Sequence, residues 1–573
     1  MDNEKIVSFF ADEEDRVDGI DKVTGRAKYT ADHHPENMVY GVYVTSTIAR
    51  GAIKNFQLNE AKDAPGVLEI ITHLNCPALP GYNPWAKDPN KMGFEWRGLK
   101  VFHKNLVHHY GQPIAMVVAT TWEKAVKAAS LVKVEYVKEE AESDFDRLRK
   151  DPSKLKPAGE YKRGEVDAYK NAEVFVENEY YMPIETHNPI ELHATIAHWE
   201  ADDKLLVYDK SQGPKGTQSE LARLFDIDPK NVRVITKFLG GAFGSSLRSW
   251  PHVPAACIAA KMVKRPVRVQ LTRRQMFTMV GYRPMAWQKI GVGATKEGKL
   301  TGITHHAISN TSRYEDYREG IVNASHYLYE CPNVNTSYKI LPLDVNTPTW
   351  MRGPGEATGA FALECILDEL AYKLNMDPVE LRIKNYAVLH PQSKLPWTSK
   401  FLRECYDKGR EMIGWSNRPA TPRSLTENGK LIGYGMGGGA FGASRGNATV
   451  KAVFTSEGKL LLYSAVSDMG PGTATAMVSI AAQVMKMPTS KISFLLGDTE
   501  FPPGPTQGGS TTTSTMGTAV SLVCDTLKAQ LTEIALKQTS LFSGLTEADL
   551  EFDKEAICSK KEATKKISLT ELL

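Results

Sequence analysis

Short apolar runs, each closed by glycine or proline, recur along most of the chain, and their periods separate strands from helices. Residues 40–44 and 114–119 read as strands. Ala125, Val126, Ala129 and Val132 fall at helical spacing within 122–132, and 134–137 is a strand again. Residues 12–141 are therefore expected to form one α/β unit. Residues 142–164 are charged, poor in apolar positions and broken at Asp151-Pro152 and Pro157-Ala158-Gly159, which reads as a linker.

Beyond residue 164 one pattern occurs twice. The strand 204–208 leads into Ser211-Gln212-Gly213-Pro214, and a helix follows through Leu221, Leu224 and Phe225. Pro229 breaks it, and the strand 232–238 enters Gly240-Gly241. In the second half the strand 459–463 leads into Asp468-Met469-Gly470-Pro471-Gly472. A helix carries Met477, Ile480, Ala481 and Val484, Pro488 breaks it, and the strand 492–496 ends at Gly497-Asp498. The spacing from Gly213 to Gly240 equals that from Gly470 to Gly497. This points to an internal duplication, with one lobe in 165–425 and a related lobe in 426–573. Two hairpins are expected, turning at Lys296-Glu297-Gly298 and at Ser456-Glu457-Gly458. Phe361, Ile366, Leu367, Leu370 and Leu374 mark an amphipathic helix, and Asp377-Pro378 begins another with Asp377 as N-cap.

A length of 573 residues calls for more than one core. The net charge of +3, from 70 basic and 67 acidic side chains, gives no electrostatic case for nucleic acid or an anionic membrane. No apolar run reaches the length of a membrane span, and the charged start lacks the order of a secretory signal, so a cytoplasmic location is expected. The seven cysteines are scattered without a CxxC pair. They speak for reduced thiols and against a zinc or iron–sulfur site within this chain.

Three stretches could carry chemistry. Lys237-Phe238-Leu239-Gly240-Gly241-Ala242-Phe243-Gly244-Ser245-Ser246 sets a glycine turn between a strand and a helix-like run. There a backbone can approach a large anionic ligand, although a tight turn without a ligand has the same pattern. Gln507-Gly508-Gly509-Ser510-Thr511-Thr512-Thr513-Ser514 runs into a long helix over 516–537. It serves equally as a phosphate site or as an N-cap built on Thr513 or Ser514. Arg352, in a Pro/Gly-rich turn before a helix, offers a rigid fork of donors or forms a surface salt bridge. Gly437-Gly438-Gly439-Ala440-Phe441-Gly442 matches GxGxxG but precedes a strand rather than a helix, which excludes a nicotinamide fingerprint.

Phe238–Gly244, Met351-Arg352-Gly353-Pro354-Gly355, Asp468-Met469-Gly470-Pro471-Gly472-Thr473, Gly497-Asp498-Thr499 and Gly508-Gly509-Ser510 occur in the order found in the xanthine dehydrogenase/aldehyde oxidase family. Residues 16–29 resemble the start of that family's hammerhead domain. The likeness spans nearly the whole chain and comes nearest to bacterial molybdenum-binding subunits of aldehyde oxidoreductases, which use molybdopterin cytosine dinucleotide. The resemblance implies an α+β fold: an α/β hammerhead domain over 12–141, then two related cofactor-binding lobes over 165–425 and 426–573, the second incomplete.

By the same resemblance, Gly241, Ala242 and Phe243 would lie beside the molybdenum ligands and Arg352 near the metal. Asp468, Met469 and Gly470 would contact the pterin or its phosphates, and Thr511 and Thr512 the dinucleotide. The metal itself would be held by the pterin dithiolene. The implied reaction is hydroxylation of an aldehyde or heteroaromatic carbon with water as oxygen source and a glutamate as general base. Electrons would leave to a small 2Fe–2S subunit and an FAD subunit. A periplasmic location by co-export with a signal-bearing partner is the alternative to the cytoplasm. The family's base lies in a glycine–glutamate motif beyond the stretch that ends at Leu573, so no catalytic residue is assigned within this chain. Glu356 and Glu364 stand in the wrong motif. A separate C-terminal polypeptide is the expected source of the base; the rival reading is a truncated, non-catalytic relative that acts as a binding or assembly partner or has no function.

Overall fold

The computed structural model describes residues 15–82 and 98–573; residues 12–14 and 83–97 of the expected hammerhead unit lie outside the described residues. The chain forms two compact units that are discontinuous in sequence. One combines residues up to 139 with 187–280 and 442–573; the other combines 140–186 with 281–441. This spatial grouping cuts across the sequential division into hammerhead and two lobes.

The first unit is built on a seven-stranded sheet, in the order Val232–Ile235, Lys204–Asp209, Ala194–Ala201, Val267–Gln270, Val39–Thr45, Pro113–Ala119 and Val67–Thr72. The hammerhead strands thus continue the sheet of the first lobe through a parallel pair, Val39 opposite Val267 and Gly41 opposite Val269. Pro113–Ala119 is buried at every position, so its unbroken apolar run suits a strand covered on both faces. The helix His252–Val263 is buried from His252 to Ala260 and fills the same core beside Met116, Val207 and Val269.

The second-half repeat forms a smaller sheet of Lys451–Phe454, Leu460–Ser464 and Ile492–Leu496. In both copies two parallel strands flank a helix, Pro214–Phe225 in the first and Thr473–Met485 in the second, with a left-handed C-cap at Asp226 and at Lys486. The loop into the helix is longer in the second copy and the loop after the last strand shorter. The equal glycine spacing therefore comes from compensating loops on a repeated strand–helix–strand frame. Leu550, Ile557, Leu569 and Leu572, from the final hairpins and helical turn, close the core of this lobe.

The other unit holds a five-stranded sheet, in the order Lys156–Arg163, Asn333–Leu343, Leu300–Ser312, Ala286–Ala294 and Val174–Met182, with the helix Glu356–Lys373 packed on it. Here the linker expected over 142–164 is corrected. Lys156–Arg163 is an edge strand paired antiparallel to Asn333–Leu343, and Phe145 and Leu148 are buried in a short helix. An edge strand takes its hydrogen bonds from the backbone and turns most side chains to water, so its composition mimics a linker. The rejected GxGxxG stretch lies in an irregular segment that reaches Lys451–Phe454 without a helix. Among the described residues no helix is long and apolar enough to cross a membrane.

The shared sheet makes a stability prediction. A Cβ at Gly41 would meet Met116 Sδ at 2.8 Å and Val269 Cγ2 at 2.9 Å, where the hammerhead strand joins the lobe. Gly41→Val is expected to cost about 1–3 kcal/mol by overpacking. Urea denaturation of the variant and the parent chain measures this, and an unchanged midpoint would contradict the joint.

Candidate functional site

The strand Val232–Ile235 runs on through Phe238 into the first glycine turn. Leu239 and Ala242 are buried; Gly241 and Gly244 sit at φ +87° and +111°. Phe243 holds φ +57° with its ring 43% exposed, a strained backbone for a bulky residue and a frequent mark of a ligand site. The turn is stitched internally: the backbone N–H and hydroxyl of Ser245 both donate to the Ala242 carbonyl, at 3.0 and 2.8 Å. Trp250 Nε1 donates to the Ser245 carbonyl at 2.7 Å. The following helix starts only at His252, so the two serines belong to the turn and not to a helix start. Glu191 clamps the turn from outside, accepting from Gly240 N at 2.7 Å while its own N–H donates to the Gly240 carbonyl at 3.0 Å.

The second turn organises itself around Asp468, whose buried carboxylate accepts from Gly470 N at 2.7 Å and Thr473 N at 3.2 Å. Backbone bonds pin it to the first turn: Leu239 N donates to the Asp468 carbonyl at 2.9 Å, and Asp468 N to the Lys237 carbonyl at 3.3 Å. Below them Thr236 N donates to the Gly497 carbonyl at 2.6 Å, and Arg233 forks onto the Asp498 carboxylate. Two buried amides complete the junction. Gln212 N donates to the Ser246 carbonyl at 2.8 Å and Gln507 N to the Gln212 carbonyl at 2.7 Å. Gln507 Oε1 accepts from Met469 N, and its Nε2 donates to Thr473 Oγ1 at 2.8 Å.

One unit therefore brings together Gly241, Ala242 and Phe243 with Asp468, Met469 and Gly470. It also brings in Thr511 and Thr512, through Gln507 and through Gly508, which packs against Leu247. The long helix starts at Thr512, earlier than expected, and no side chain caps it. Neither Thr513 nor Ser514 is the cap: Ser514 lies inside the first turn and donates to the Ser444 and Thr511 carbonyls. Its first amides stay open to an acceptor. Arg352 belongs to the other unit, where it lies exposed and makes no ion pair with a described residue, which removes the salt-bridge reading. In that unit Glu364 is fully engaged, accepting from Arg382 Nε, Tyr329 OH and Gly438 N at 2.7, 2.7 and 2.6 Å, and Glu356 is paired with Tyr327. Sequence reasoning missed Glu191, Gln212 and Gln507. The only signal for the last two was a buried-type amide directly beside each glycine stretch.

Several features of these turns suit a large polar ligand. A Cβ at Gly470 would meet nothing within 4 Å, so this peptide faces open space. Ser246 Oγ on one turn and Ser467 Oγ on the other are buried without hydrogen-bond partners, as are His193 Nδ1 and both ring nitrogens of His252. Buried groups of this kind are satisfied by an ordered water or a bound ligand. Among the described residues no three His, Cys, Asp or Glu side chains converge as a metal-ligand set. Under the first turn lies a buried polar layer. His193 Nε2 meets Ser245 Oγ at 3.1 Å, and Lys210 Nζ donates to the Glu191 carbonyl at 2.7 Å. Burial drives Lys210 down to about 8, Glu191 up, and His193 and His252 well below the usual imidazole range, His252 to about 3.

These imidazoles make stability pH-dependent. Unfolded histidine takes up a proton below about pH 6.5, while folded His252 resists until about pH 3, so acid favours the unfolded chain. Stability is whole above the unfolded value and should fall by about 1.4 kcal/mol per pH unit per such histidine as pH drops. His252→Phe should flatten the fall by roughly one proton, measured as denaturation midpoints between about pH 7 and pH 5. Parallel slopes for variant and parent would contradict the burial argument.

Residues 149–386 and 408–573 each match the molybdopterin cofactor-binding domain, and residues 24–140 match the aldehyde oxidase and xanthine dehydrogenase a/b hammerhead domain. The chain is 32% identical over 524 residues to the aldehyde oxidoreductase molybdenum-binding subunit PaoC of Escherichia coli K12, covering 90% of this chain and 69% of that one. It is 29% identical to the putative xanthine dehydrogenase molybdenum-binding subunit XdhA of the same organism, over 85% of this chain and 68% of that one. The fold superposes on aldehyde oxidoreductase from Desulfovibrio gigas (TM-score 0.75, 23% identity, 91% of this chain and 60% of that one). It also superposes on CO dehydrogenase from Oligotropha carboxidovorans (TM-score 0.78, 19% identity, 100% and 77%). A hammerhead domain followed by two copies of a cofactor-binding domain, with their glycine turns pinned face to face, places this chain among the molybdenum-binding subunits of the xanthine dehydrogenase and aldehyde oxidase family.

Proposed function

We propose that the chain binds molybdenum as molybdopterin cytosine dinucleotide and serves a hydroxylase that oxidises aldehydes or N-heteroaromatic compounds with water, in complex with a small 2Fe–2S subunit and an FAD subunit. The observation that carries this reading is the pair of pinned turns, with strained Phe243 on one, open Gly470 on the other and an unpartnered buried serine on each. When bound, the cofactor supplies the oxidation and hydroxylation of the substrate carbon. The protein's part is to hold it. Gly241, Ala242 and Phe243 offer backbone groups, and since the Ala242 side chain is buried, only its peptide can serve. Met469 and Gly470 offer the peptides that Asp468 orients, and the uncapped helix start at Thr511 and Thr512 offers amides and hydroxyls to a phosphate. Arg352 presents an exposed guanidinium on its own turn for an oxo group or the substrate.

The test is co-expression with the partner subunits in a host that makes the cytosine dinucleotide, followed by metal analysis and release of CMP. Stoichiometric molybdenum and CMP are expected from the purified complex, and their absence would overturn the reading. A β-branched residue at a backbone φ of +87° carries strain on the order of 1–3 kcal/mol and blocks close approach, so Gly241→Val should lower cofactor content by about tenfold while the hammerhead strands stay folded. Unaltered molybdenum and CMP in that variant would move the cofactor away from this turn.

A further inference from the structure

Arg283 and Glu319 are buried against the Arg352 turn. The Arg283 side chain is only 3% exposed. Its Nη2 donates to the Arg352 carbonyl at 2.7 Å and its Nη1 to the Gly353 carbonyl at 3.3 Å, while Nε reaches the Glu185 carboxylate at 2.7 Å. The main chains of Arg283 and Glu185 bond each other as well. Next to it, the Tyr282 carbonyl accepts from Thr349 N at 2.9 Å and the Tyr282 hydroxyl donates to the Asn346 carbonyl at 3.0 Å. Two adjacent residues thus grip the loop at Asn346, Thr349, Arg352 and Gly353.

Glu319 supports the turn from another side. Its carboxylate is fully buried, 3.9 Å from Arg283 Nη1. Burial pushes it up to about 7, opposed by the Arg283 charge, the Gly355 amide and the Thr358 hydroxyl. The adjoining Gly320 leaves no room above Gly355, whose added Cβ would meet Gly320 backbone at 2.6 Å. Gly353 and Gly355 hold φ +70° and +74°, so the turn depends on outside groups to fix it. A planar guanidinium can serve two adjacent carbonyls and a carboxylate together; an ammonium cannot.

We propose that Arg283 is a positioning residue: by gripping the Arg352 and Gly353 carbonyls, with the Glu319 carboxyl buried beside it, it fixes the direction in which the Arg352 guanidinium leaves its turn. This rests on the reading that the Arg352 guanidinium serves an oxo group or the substrate. The test uses the loaded complex and three variants, Arg283→Lys, Arg352→Ala and Glu185→Gln, read by molybdenum and CMP content, thermal melting and the Mo(V) electron paramagnetic resonance signal. Hydrogen–deuterium exchange over 346–355 is read on the same samples. Arg283→Lys is expected to retain the metal, lose exchange protection over 346–355 and shift the Mo(V) g-values in the direction that Arg352→Ala shifts them. Glu185→Gln, which leaves both carbonyl contacts in place, should keep the parent signal. If Arg283→Lys does not accumulate, Glu319→Gln is read by the same criteria. A lowered melting temperature with an unshifted Mo(V) signal overturns the proposal and leaves Arg283 a purely structural residue. A parent complex without molybdenum overturns the cofactor reading and this proposal with it, whereas a loaded parent with unshifted variants overturns the proposal alone.

Discussion

The exchange of backbone bonds between Lys237-Phe238-Leu239 and Asp468 is the contact on which the site depends. It pairs two extended segments from different halves of the chain for a single step, at the level where both enter their glycine turns. Buried backbone groups must find partners, so once these peptides pair, the turns cannot drift apart without leaving them orphaned. The glutamine pair 212 and 507 repeats this constraint from the other side, with side-chain amides doing what a longer strand pairing would do. The two turns are therefore held together by hydrogen-bond satisfaction.

The two turns reach the same end by different means. The second is shaped from within, by a carboxylate at its own first position. The first has no such residue and is held by Glu191 from a neighbouring segment, which in turn is tied by buried Lys210. A duplicated frame has kept its strands and helix and changed the way its loops are supported.

What could be read in the sequence follows from which forces are local. The strands 114–119, 204–208 and 492–496, the helix after Gly213 and the Asp377 cap are set by period and by short-range chemistry, and the structure has them within a residue or two. The glycine turns were legible for the same reason, since a positive φ costs glycine least. The failures are of another kind. Lys156–Arg163 is a strand only because Asn333–Leu343 offers it an edge, and nothing in its own polar composition says so. The helix start at Thr512 was blurred by several adjacent hydroxyl residues with equal capping ability. Glu191 could not be found at all, because its importance comes from a glycine far along the chain.

The parallel pairing of Val39 with Val267 also bears on the order in which the molecule forms. A chain emerging from a ribosome presents the hammerhead strands Val39–Thr45 and Pro113–Ala119 long before Val267–Gln270 exists, so one flank of the emerging sheet must wait unpaired. The wait includes synthesis of the first glycine turn, and the second turn comes later still. Nascent protein therefore passes through a stage with an open sheet edge and only the first of its two glycine turns.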